Sequence, residues 1–100
     1  MDDLKDIVFT YKEHTGYIKI NRPPNNFFDS DLIRQIADVL EEMDKKQDCR
    51  SIILYSEGKH FCAGADFSRS NFKNESDAYS ALYDQAVRLF RTSKPIIAVI

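Results

Sequence analysis

Gly58-Lys59-His60-Phe61-Cys62-Ala63-Gly64-Ala65-Asp66-Phe67 (GKHFCAGADF, residues 58–67) is the most unusual stretch of this sequence. It sets one of the chain's three glycines between two alanines, behind an aromatic–thiol pair and ahead of an acid. A segment that had only to turn would favour Gly, Asn, Pro or Ser. Alanines beside a glycine keep bulk away from the main chain, so a bound group can approach the peptide N–H and C=O groups. If a helix starts just past Gly64, its first N–H groups lack intrahelical partners and stand at the positive end of the dipole. Such groups hold a negative oxygen, including one that develops only during a reaction. Asp66 then serves as a cap or dipole partner, or as a general base. The same small residues also suit a tight strand-to-helix connection. The stretch is not a phosphate-binding P-loop, because Gly58-Lys59 lacks the upstream glycine and no Ser or Thr follows the lysine. His60 reads as a surface or packing residue. Cys62 as a nucleophile needs a base beside it, and the sequence places none there.

Working outward, Ser51-Ile52-Ile53-Leu54-Tyr55 is a short continuous apolar run. It predicts a strand covered on both faces. Ahead of it, Asp29 or Ser30 can cap a helix. Leu32, Ile33, Ile36, Val39, Leu40 and Met43 then recur at helical spacing. Asp31 near the start and Lys45 and Lys46 near the end suit the helix dipole. Further upstream, Ile7–Lys12 and Tyr17–Ile20 flank His14-Thr15-Gly16, which predicts a β-hairpin with glycine at the turn. Asn21-Arg22-Pro23-Pro24-Asn25-Asn26 then stops the sheet, because two prolines remove two backbone donors.

Downstream, Arg69–Ser76 is polar. From Asp77 a second helix is expected, with Tyr79, Leu82, Tyr83, Ala86, Leu89 and Phe90 on a core-facing stripe. Lys94-Pro95 introduces another apolar run to Ile100, read as a buried strand. The order is hairpin, helix, strand, loop, helix, strand, an α/β arrangement with helices covering a sheet. A finish inside an apolar strand leads us to expect further polypeptide, or a second chain, as its cover.

With 100 residues, the chain is expected to form one domain or part of one. A formal charge of −2 and the lack of a Lys/Arg stripe give no pull toward nucleic acid. No apolar run approaches the roughly 20 residues that span a bilayer. The acidic start, Met1 to Asp6, is not a secretory signal, so the cytoplasm is the default. Cys49 and Cys62 are then expected as reduced thiols. Their spacing with His14 and His60 resembles no structural zinc pattern.

The segments INRPPNN (20–26), SIILYSEGKHFCAGADF (51–67) and SKPIIAVI (93–100) come in an order and separation similar to the crotonase, or enoyl-CoA hydratase/isomerase, superfamily. The resemblance runs from Ile7 to Ile100, and Phe61-Cys62-Ala63-Gly64-Ala65-Asp66 is its most specific part. It implies a spiral of ββα units, incomplete at the C-terminus, with residues 1–100 forming the N-terminal part of a single crotonase-like domain. It implies a lyase or isomerase of fatty-acid metabolism acting on acyl-CoA thioesters, with coenzyme A entering as part of the substrate and no other cofactor. A homotrimer or hexamer is the implied assembly. Two backbone N–H groups would bind the thioester oxygen and its enolate. Ala65 corresponds to the first, and the second would come from a Gly-rich turn after the strand that begins Lys94-Pro95. The loop residues Ala63, Gly64, Ala65, Asp66 and Phe67 would contact coenzyme A, and Pro24, Asn25 and Asn26 would lie along it.

The family's acid/base carboxylates match no residue here, so the 100-residue chain alone is expected to be catalytically silent. Thioester hydrolysis, decarboxylation, ring closure, or a non-catalytic acyl-CoA-binding scaffold are the alternatives. Phe27-Phe28 departs from the family's usual small residue, and either narrows an entrance or packs under the first helix. Arg69 and Lys73 either meet phosphates or form a solvated face.

Overall fold

A computed structural model describes residues 4–23, 26–58, 60–62, 64 and 75–100. Strands β1 (Ile7–Lys12) and β2 (Thr15–Ile20) pair antiparallel, with Ile7 opposite Ile20 and Lys12 opposite Thr15. Helix α1 (Ser30–Lys45) crosses to β3 (Ser51–Ser56), which lies parallel to β2. Helix α2 (Glu75–Leu89) leads to β4 (Ile96–Ala98), parallel to β3. The sheet order is β1-β2-β3-β4.

The core forms where one face of the sheet meets α1. Ile18 and Ile20 alternate with Tyr17 and Lys19, so the isoleucines share a face. Together with Ile52 they pack on Leu32, Ile36, Val39, Leu40 and Met43, all buried. Asp29 is the N-cap of α1: its backbone is extended and its carboxylate accepts from Leu32 N at 2.9 Å. The far end of α1 is closed from outside. The Lys94 ammonium donates to the Met43 carbonyl, and to Lys46 O at 2.5 Å, adding to the bonds these oxygens accept from Lys46 N and Cys49 N at 3.2 Å.

Three expectations are corrected. The hairpin turn is Glu13–His14, with Glu13 at φ 57°, and Gly16 lies within β2. A Cβ there would sit 2.7 Å from Met43 Sδ and 3.2 Å from Cys49 Sγ, so the glycine makes room for the helix. The second correction concerns the apolar strands. In β3 only Ile52 is buried, and in β4 Ile97 is 57% exposed, because α1 covers a single face of the sheet. The third concerns α2, which packs on α1. Leu82, Ala86 and Leu89 are half-buried, whereas Tyr83 and Phe90 are 65% and 88% exposed. The apolar stripe is wider than the strip that α1 covers.

Among the described residues, no helix is long and apolar enough to cross a membrane.

Candidate functional site: the loop after the third strand

The quoted loop leaves the sheet at Ser56. Glu57 N still donates to Ile20 O at 2.7 Å, extending the β2–β3 ladder by one bond. Gly58 then takes φ 90°, the left-handed side that favours glycine. Ser56 Oγ donates to His60 O at 3.0 Å, folding the chain back on itself. Gly64 stands at φ 136°, a region open essentially to glycine alone. Its exposed surface has nothing within 4 Å of where a Cβ would lie. The physical reason for glycine at this position is therefore backbone conformation, not a lack of room.

A second segment holds the loop. Phe28 N donates to Gly64 O at 2.8 Å. The half-buried rings of Phe28 and Phe61 lie 6.1 Å apart, tilted at 44°. Phe28 packs against the core, as the packing role expects, while Phe27 is exposed. Asn26, at φ 52°, is fully buried and donates through Nδ2 to Glu57 O at 2.7 Å and His60 O at 2.5 Å. The structure thus brings two of the anticipated site residues, Asn26 and Gly64, onto segments that hydrogen-bond to each other. Pro24, Asn25, Ala63, Ala65, Asp66 and Phe67 lie outside the described residues, as do Arg69, Lys73 and any helix just past Gly64.

Beneath the Asn26 segment sits an ionic cluster that sequence reading missed. Arg22 Nη2 pairs with Asp6 at 2.7 Å, and Nη1 with Asp29 at 2.9 Å and Phe27 O at 3.1 Å. Buried Gln35 adds Nε2 to Asp6 at 2.9 Å and accepts from Asp6 N at 3.0 Å. Burial alone would raise the Asp6 carboxyl, but hydrogen bonds from Arg22 and Gln35 outweigh it and hold the group below the usual carboxylate range. Burial likewise opposes the Arg22 charge, and the two aspartates overcome it. The available signal was an arginine ahead of Pro23-Pro24, followed by the capping aspartate seven positions on.

His60 and Cys62 are exposed, and Cys62 Sγ donates to Gly64 O at 3.5 Å. Both cysteines are free. Among the described residues no group of three His, Cys, Asp or Glu side chains could hold a metal ion. A cleft of about 290 Å³ opens between α1 and α2, lined by Ser30, Asp31, Arg34, Ala81, Asp84 and Gln85. None of the described loop residues lines it.

Residues 10–100 match the sequence model of the family described as enoyl-CoA hydratase/isomerase. A Bacillus subtilis (strain 168) protein named "Probable enoyl-CoA hydratase" is 30% identical over 101 positions, covering 97% of this chain and 39% of that protein. A Dictyostelium discoideum protein named "Probable enoyl-CoA hydratase, mitochondrial" is 33% identical over 91 positions, covering 89% of this chain and 33% of its own length. The crystal structure of enoyl-CoA hydratase from Bacillus anthracis superposes with a TM-score of 0.78 at 27% identity, covering 94% of this chain and 39% of that one. The chain therefore spans roughly two fifths of its relatives, and over that span the backbone follows the crotonase fold. Sequence likeness and backbone course agree from the hairpin to the last strand, and on that ground the chain belongs to the enoyl-CoA hydratase/isomerase family.

Proposed function

We propose that this chain builds one half of an acyl-CoA site in which the Ala65 N–H receives a thioester oxygen as it becomes an enolate. The observation that carries the reading is the double attachment of the loop: Asn26 at Glu57 and His60, and Phe28 at Gly64. Charge that grows on an oxygen is best met by donors already in place, since a donor that must reorganise gives back part of its gain. Loss of one such donor typically costs about 3 kcal/mol of transition-state stabilisation. Ala63, Gly64, Ala65, Asp66 and Phe67 would contact coenzyme A, with Pro24, Asn25 and Asn26 alongside it.

The reaction is hydration or isomerisation of an enoyl thioester in fatty-acid metabolism. Coenzyme A is part of the substrate, no further cofactor is used, and the working assembly is a trimer or hexamer in the cytoplasm. The second donor and the acid/base carboxylate come from outside residues 1–100, so those residues alone do not turn over substrate.

Calorimetric titration of the full-length protein with a non-reacting acyl-CoA tests the binding, and loss of the conjugated-thioester absorbance tests hydration. Gly64→Val should keep the circular dichroism of the wild type and lose acyl-CoA binding. Valine at φ 136° costs on the order of 1–3 kcal/mol of backbone strain, which the loop relieves by shifting the neighbouring N–H. Wild-type protein that binds no acyl-CoA, or Gly64→Val that binds it undiminished, overturns the proposal. Hydration by residues 1–100 alone would refute the placement of the acid/base group.

A further inference from the structure

Asn26, set alongside coenzyme A in the proposed site, is also a fully buried polar side chain whose carboxamide is spent inside the protein. Its carboxamide makes three hydrogen bonds. Nδ2 donates to Glu57 O at 2.7 Å and to His60 O at 2.5 Å, while Oδ1 accepts from Arg22 N at 2.9 Å. Carbonyl oxygens only accept, so the NH₂ edge must be the one facing Glu57 and His60. From this geometry we infer that Asn26 is a positioning residue, whose carboxamide clamps the 57–64 loop against the 22–28 segment and so sets where the loop's backbone donors point. The inference rests on the acyl-CoA reading for its effect on binding.

Three features make the clamp specific to asparagine. The backbone stands at φ 52°, which asparagine tolerates better than most side chains. The task needs two donors and an acceptor on one short side chain, which aspartate and alanine lack. The acceptor side must also be stationary, and it is: Asn26 N donates to Arg22 O at 2.9 Å, and Arg22 is tied to Asp6 and Asp29. Two residues further on, Phe28 N holds Gly64 O. The loop is thereby fixed near both ends from one segment, across 31 positions of sequence at the Asn26–Glu57 bond.

Asn26→Asp tests this in the full-length protein. The new carboxylate would face two carbonyl oxygens and repel them, but its protonated form can donate one hydrogen bond. Acyl-CoA affinity should fall at least about tenfold near pH 8 and recover in part near pH 5, as burial among carbonyls raises the new carboxyl. Asn26→Gly keeps the left-handed backbone without the clamp, and its loss should not recover. Among the described residues, the charged side chains on the segments packed around position 26 are Arg22, Asp29, Glu57 and His60. Arg22 and Asp29 pair with each other, Glu57 pairs with Lys19 at 3.2 Å, and the Asn26→Gly profile removes any contribution from His60.

Undiminished binding by Asn26→Asp at neutral pH, or a loss equal to that of Asn26→Gly at every pH, overturns the inference. If both variants unfold, the wild type still decides it: the Asn26 Nδ2 protons should exchange slowly with solvent by NMR, and rapid exchange refutes the clamp. Wild-type protein without acyl-CoA affinity would sink the functional reading, leaving the NMR measurement to judge the clamp by itself.

Discussion

Replacing Arg22 with alanine removes the cation that two carboxylates share. The side chains of Arg22, Asp6 and Asp29 are 9%, 14% and 11% exposed, so water can replace little of what is lost. Breaking a buried pair by deleting one partner costs roughly 3–5 kcal/mol. The lower end applies, because Asp29 keeps its bond from Leu32 N and Asp6 keeps Gln35. The wild type also carries a cost that the variant sheds: Arg22 Nε is buried without an acceptor among the described residues, a penalty of about 1 kcal/mol or more. We expect a net loss of about 2 kcal/mol in urea unfolding of the full-length protein, followed by circular dichroism.

A pH series gives the second reading of the same variant. The folded Asp6 carboxyl lies below its unfolded value, so its contribution is complete above about pH 4 and is lost as pH falls through the folded value. Wild-type stability should therefore drop in that acid range, and Arg22→Ala should drop less steeply, having lost the main group that lowers the Asp6 pKa. A cost under about 1 kcal/mol, or acid curves of equal slope, would refute the claim that this cluster is a working buried ion pair rather than a surface one.

Gly16→Ala should destabilise by about 1 kcal/mol, since overpacking against Met43 and Cys49 (about 1–3 kcal/mol) exceeds the gain from a stiffer unfolded chain (about 0.5–1 kcal/mol). Met43→Leu in the same protein should recover part of that loss, and a Gly16→Ala variant more stable than wild type would show that the glycine is not there for packing. Lys94→Met strips the ammonium from the Met43 and Lys46 carbonyls at the end of α1 and should cost about 1 kcal/mol in chemical unfolding, with Lys94→Arg milder; an unchanged midpoint would mean that solvent caps the helix equally well.

Periodicity carried the secondary structure because burial is periodic. Ile18 and Ile20 face α1 at a spacing of two, and Leu32, Ile36, Val39, Leu40 and Met43 face the sheet at helical spacing. What periodicity does not encode is the partner. The stripe on α2 was legible, but Tyr83 and Phe90 stand in solvent because α1 is one helix wide. Glycine was ambiguous for a related reason, since one letter serves both a positive φ and a close approach. Gly64 proved to be the first kind and Gly16 the second.

The loop was legible as a string of small residues, yet its attachment was not. Asn26 reaches Glu57 and His60 across more than thirty positions, and nothing local distinguishes a buried left-handed asparagine from one in a solvated turn. The distinction follows from Arg22. Arg22, buried between two aspartates, also meets Asn26 through its own backbone, with its N–H at Asn26 Oδ1 and its C=O at Asn26 N, so the asparagine is anchored on the side away from the loop. The ionic cluster and the loop attachment thus meet at one contact: Arg22 holds Asp6 and Asp29 with its guanidinium and Asn26 with its backbone, and Asn26 in turn holds Glu57 and His60.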